Sequence, residues 1–220
     1  IEGKQDIQLV KDLKTGMNLT EESETEFVTM AQRLCEKGAL ALCIASLSSR
    51  CRVLREIAIS TLGLFMRATN STVAQELSTW RSRPQIAVLL NSLQRGMAVR
   101  RAKFVRESPN LPVLSAVFLA KASFIMTKPG DPMFGPINKY FLKIENGHGA
   151  YDDIHRLPGF IPFFCSSSDE GDQAKNERIW ALQFLKDSFV DSSCYRMILS
   201  CHASELILSA LQGISARSDD

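Results

Sequence analysis

The chain has 220 residues, 45% of them apolar and 23% charged, with a formal net charge of +2. That composition fits one globular domain or two small ones and excludes chain-wide disorder. It holds no run of about 18 uncharged apolar residues, so no membrane span is expected; with only 12 glycines and 8 prolines, a turn-rich sandwich or barrel is disfavoured against helices.

The opening Ile1-Glu2-Gly3-Lys4 has neither an initiator Met nor an apolar signal core, so the chain is read as a piece of something longer. Residues 1–19 are polar and expected to be poorly ordered. Ser23 with Glu26 fits a capping box, and Phe27, Met30, Ala31 and Leu34 follow at helical spacing up to Gly38. Further helices are expected over Ala39–Leu47, about Val53–Arg67 and Thr72–Thr79. The face assigned to the second of these is Leu54, Ile57, Ala58, Thr61, Leu62 and Phe65. Pro84 suits the first turn of a helix carrying Ile86, Val88, Leu89, Leu90 and Leu93, and Pro112 opens another over Val113–Met126.

Lys128-Pro129-Gly130-Asp131-Pro132 is a strong breaker, followed by a short apolar element over Met133–Leu142. Pro158 and Pro162 keep any helix between them short. A long helix is expected from Asp172 to about Val190, carrying Ile179, Trp180, Leu182, Phe184, Leu185 and Phe189, then two more near Ser193–Ser200 and Ala203–Leu211. Residues 213–220 form a polar tail. The fold class is therefore all-α, with residues 20–212 forming stacked helix pairs of a HEAT- or armadillo-like α-solenoid. One internal echo accords with that: Arg55, Ala58 and Leu62 repeat the spacing of Arg178, Ala181 and Leu185.

Charge is segregated along the chain. Arg81, Arg83, Arg95, Arg100, Arg101, Lys103 and Arg106 lie in a window without Asp or Glu, which leaves 19 basic against 24 acidic residues elsewhere. At about 100° per residue, Arg95, Lys103 and Arg106 share one helical side, with Met97 and Phe104 opposite as packing anchors. A basic ridge held by an apolar anchor is what contact with a nucleic-acid backbone requires. An acidic protein partner, or a solvated face balanced by acids elsewhere in space, are the competing readings. Met133 and Phe134, after the double-Pro turn, are candidate partner-binding anchors.

The six cysteines show no C-x-x-C pair, so they read as buried reduced thiols rather than a zinc site or a disulfide framework. His148, Asp152, Asp153, His155 and Cys165 form the one cluster resembling a catalytic or metal set, and its plainer reading is a polar loop. A Cys-His hydrolase built on Cys165 is a distant alternative. No cofactor is expected, because no phosphate-binding, dinucleotide-binding or zinc-protease motif occurs.

Three segments resemble a known family. They are Asp131-Pro132-Met133-Phe134-Gly135-Pro136-Ile137-Asn138-Lys139-Tyr140-Phe141-Leu142, then Leu157-Pro158-Gly159-Phe160-Ile161-Pro162-Phe163-Phe164-Cys165-Ser166-Ser167, then Glu177-Arg178-Ile179-Trp180-Ala181-Leu182-Gln183-Phe184-Leu185-Lys186-Asp187. Their order and spacing resemble the C-terminal domain of the nucleolar pre-ribosomal-associated (Urb/Npa) family, over roughly residues 113–205. Ser188 and Cys194 depart from that pattern, which has Gly and an acidic residue there. The resemblance implies a very large, non-enzymatic nucleolar scaffold acting in early assembly of the large ribosomal subunit. Its implied neighbours are pre-rRNA, small nucleolar RNAs and a DEAD-box helicase module.

Overall fold

The computed structural model describes residues 20–76, 79–103, 110–146, 172–200 and 202–209, and every element among them is helical. In chain order these are α1 (Glu21–Glu36), α2 (Ala39–Ser46), α3 (Arg52–Asn70), α4 (Thr72–Glu76), α5 (Arg83–Lys103), α6 (Val113–Ile125), α7 (Phe134–Asn146), α8 (Asp172–Ser188), α9 (Ser192–Ser200) and α10 (203–209). The polar ends expected at 1–19 and 213–220 lie outside the described residues.

α1 begins one turn earlier than its capping-box spacing predicts. Thr20 is the N-cap, its hydroxyl accepting from the Ser23 amide at 3.4 Å, and Glu21, Glu22 and Glu24 occupy the first turn against the positive end of the helix. Phe27, Val28, Ala31 and Cys35 point into the core. Gly38 ends α1 and opens α2 at φ +85°, a left-handed conformation that a Cβ would strain. It turns the chain back sharply beside the Phe124 ring.

α2 and α6 are apolar around most of their circumference, and they form the most extensive inter-helix contact among the described residues. The Leu111 amide donates to the Leu47 carbonyl at 3.1 Å, tying the lead-in of α6 to the end of α2. α1 packs on α2, α3 and α4; α3 packs on α5; α5 packs on α7. Contact between α2 and α6 reaches across three intervening helices, whereas each repeat of an unbroken solenoid touches its sequence neighbours.

α6 also meets α7 and α8 through an aromatic wedge. Phe118 lies edge-on to Tyr140 (5.3 Å between centroids), to Trp180 (5.9 Å) and to Phe184 (5.7 Å), while Trp180 and Phe184 stack at 5.8 Å. Edge-on and stacked pairs add about 0.5–1.5 kcal/mol each beyond the area they bury. Lys121 on α6 donates to Asp187 on α8 at 2.6 Å, at the rim of the same contact.

The faces of α1, α3 and α8 are rotated from their predicted positions. On α1, Leu34 is exposed while Val28 and Cys35 are buried. On α3 the buried set is Arg55, Ala58, Leu62, Phe65, Ala68 and Thr69, while Leu54 and Ile57 stand exposed, Ile57 at 57%. Arg55 takes the inward position, 9% exposed, because its guanidinium spans the α2–α3 loop and donates to the Ser49 and Arg50 carbonyls at 2.8 and 3.1 Å. On α8, Ala181, Phe184 and Leu185 are buried and Ile179, Leu182 and Phe189 exposed. The Ala and Leu members of the internal echo are thus buried in both copies, but Arg55 is inside and Arg178 outside.

Candidate nucleic-acid interface

The basic window begins on a pinned turn. Trp80 is 3% exposed and packs in the core, although its indole N–H finds no hydrogen-bond partner among the described residues. Gln32 on α1 donates to the Thr79 carbonyl at 3.4 Å, and the Arg83 amide donates to Trp80 at 3.2 Å. These contacts fix the entry to α5. Pro84 falls in its first turn, where a missing N–H costs nothing. Ile86, Leu89, Leu90 and Leu93 are buried along the first half, and half-buried Met97 is the last anchor along the helix whose packing is described.

Arg83 sits in the first turn of α5, where the helix dipole disfavours a cation. Its guanidinium offsets this by donating to the Thr69 carbonyl at the end of α3, at 2.9 Å. It is a clamp between two helices as well as part of the window. Arg81 is exposed and makes no ion pair among the described residues. Arg95 is exposed on α5. Arg100, Arg101 and Lys103 fall in the final described stretch of α5, beyond Met97. Arg106 and Phe104 lie outside the described residues.

The window is therefore a rod rather than one patch. At 1.5 Å per residue, Arg83 and Lys103 are separated by about 30 Å along the axis. Such a rod can meet phosphates at two separated places. Because Trp80 is buried, the window offers no aromatic platform among the described residues on which a base could stack, so the arrangement suits the nucleic-acid backbone rather than base readout.

Met133 does not serve as the exposed anchor proposed from the sequence. It is 2% exposed, because the Asp131 carboxylate accepts from its amide at 2.8 Å and turns the side chain inward ahead of α7. Phe134 is half-buried and packed against the core. The cluster of His148, Asp152, Asp153, His155 and Cys165 lies outside the described residues. Among those that are described, no group of three or more His, Cys, Asp or Glu could hold a metal, and no helix is long and apolar enough to cross a membrane.

The four described cysteines are free thiols. Cys35 and Cys194 are buried and Cys43 is half-buried, but Cys51 is exposed at the start of α3, unlike the buried thiols expected. Burial, reinforced by the neighbouring Glu36 carboxylate, pushes the Cys35 thiol up to about 12, so it stays protonated and unreactive at neutral pH.

A family model described as nucleolar pre-ribosomal-associated protein 1 matches residues 40–219. The mouse protein called nucleolar pre-ribosomal-associated protein 1 is 30% identical over 186 residues, covering 84% of this chain and 7% of the mouse protein. The human protein of the same name is 27% identical over 190 residues, covering 86% of this chain and 7% of the human one. The chain thus spans about 7% of the length of the curated relatives it matches. No solved structure matches it. Buried Ser188 donates its hydroxyl to the Phe184 carbonyl at 2.6 Å, and Cys194 is buried in the first turn of α9.

Proposed function

The chain belongs to the nucleolar pre-ribosomal-associated protein 1 family, and from that premise we propose that it is a non-enzymatic helical scaffold segment. It works in nucleolar ribosome biogenesis, at the early large-subunit stage where pre-rRNA is processed. Its helices form part of a longer helical array, and assembly factors, including a DEAD-box helicase module, are its neighbours. The α5 rod contacts pre-rRNA, or a small nucleolar RNA, through phosphates. The observation that carries this reading is the placement of Arg81 and Arg83 at one end of α5 and Arg100, Arg101 and Lys103 at the other, in a stretch without a carboxylate.

The test is RNA binding by the 220-residue chain across a salt series, beside a variant with Arg100, Arg101, Lys103 and Arg106 changed to Glu. Wild-type affinity is expected to fall steeply with salt, and each lost phosphate contact should flatten the slope by about 0.7–0.9. Equal slopes, or no binding at low salt, would overturn the RNA contact and turn the window towards an acidic protein partner.

A further inference from the structure

A second surface, separate from the basic rod, lies where three distant parts of the chain meet. The α2–α3 loop, the lead-in to α6 and the start of α9 enclose an open cleft of about 800 Å³. Its floor is apolar, formed by buried Leu111, Leu114 and Cys194 with half-buried Met197. Arg50 stands exposed on one wall and Arg196 on the other, and neither makes an ion pair among the described residues. The carboxylate of Asp191, which also lines the cleft, caps α9 and stays charged, so the two arginines leave the described lining with an excess of one positive charge. The Asp191 Oδ1 accepts from the Ser193 and Cys194 amides at 3.0 Å each and from the Ser193 hydroxyl at 2.6 Å.

The walls are held before any ligand arrives. Arg55 grips the carbonyls of Ser49 and Arg50, fixing the loop that carries Arg50, and the Leu111–Leu47 hydrogen bond fixes the facing strand of chain. Arg196 Nε donates to the Ser192 carbonyl at 3.4 Å, which orients its side chain along α9. A preformed cleft of this size is in the range that binds a short segment with little ordering cost.

We propose that this cleft docks a short acidic segment of a partner protein, its carboxylates meeting Arg50 and Arg196 and an apolar side chain entering over Leu114 and Met197. Charge complementarity selects the occupant: guanidinium groups pair with carboxylates in a forked, two-bond geometry. Among the described residues the cleft presents no aromatic ring on which a nucleotide could stack, and its apolar floor suits a side chain better than a sugar-phosphate backbone. Neither arginine belongs to the basic window, so this proposal and the RNA contact stand or fall separately.

The probe is a fluorescein-labelled peptide carrying two glutamates around a Leu-Phe pair in a Gly-Ser background, followed by anisotropy on the 220-residue chain. Saturable binding is expected. Arg50→Ser with Arg196→Ser, or exchange of the peptide glutamates for glutamine, should weaken it at least about tenfold with the thermal melt unchanged. Asn110→Glu, an exposed change on the rim, should weaken binding in the same direction. No saturation up to about 1 mM, or equal binding by the double variant, would overturn the proposal. It would also be overturned if a single-stranded RNA bound wild type and lost that binding in the double variant, because the cleft would then be a nucleic-acid site. Loss of RNA binding in the four-site α5 variant alone leaves the peptide result unaffected.

Discussion

α5 and α6 both contain long apolar rows in the sequence, but the protein uses them differently. α6 is enclosed on nearly every side, by α2 along one flank and by α7 and α8 through the aromatic wedge, and Lys121 at its rim reaches out to Asp187. α5 is enclosed over its first half and carries its basic turns beyond the Met97 anchor. A helix apolar all round holds a core together, whereas a helix apolar at one end can project charge away from it. The comparison sets residues that form the core against residues whose charge is expected to serve binding.

The contrast is sharpest when each helix is cut. Phe118→Ala removes the ring shared by Tyr140, Phe141, Trp180 and Phe184 and should cost about 3–5 kcal/mol, lowering the melting temperature by roughly 10 °C or more. Changing Arg100, Arg101 and Lys103 together to Gln should move stability by no more than about 0.5 kcal/mol per site, read in the same thermal melt. A large loss there would erase the distinction between the two helices and make the basic turns structural. The smallest effect is one of pH. The Ser193 hydroxyl and the Cys194 and Ser193 amides hold the Asp191 carboxyl down at about 2, below its ordinary 3.8. Because the folded value is the lower one, the cap stabilises α9 above pH 4 and is lost as pH falls towards 2. Carboxyl NMR titration should place its midpoint near 2, and a midpoint near 3.8 would mean the cap is not formed in solution.

Much of the helix order was legible because α5 and α6 have periodic or uninterrupted apolar rows opened by Pro84 and Pro112. What periodicity misjudged was phase. Leu54 and Ile57 look like core residues beside Ala58 and Leu62, but the inward place goes to Arg55, whose guanidinium satisfies carbonyls of a loop that hydrophobic spacing cannot weigh. A run such as Ser48-Ser49-Arg50-Cys51 before a helix, with Arg in its first turn, is the local signal that points to such a clamp. The basic window was legible as composition, but its division into two ends, and the use of Arg83 as a tie to Thr69, depend on how α3 meets α5. The Arg50–Arg196 cleft had no sequence signature, because its walls come from parts of the chain that only folding brings together.

The chain has two tryptophans, and they sit in different neighbourhoods: Trp80 is sealed in the turn before α5, and Trp180 is half-exposed, stacked on Phe184 in the wedge around Phe118. Each is a natural optical reporter of its own helix junction. Replacing Trp80 with Phe leaves emission from the wedge alone, and replacing Trp180 leaves emission from the root of the basic rod. The protein can thus be watched coming apart at either end of its design by colour, without attaching a dye.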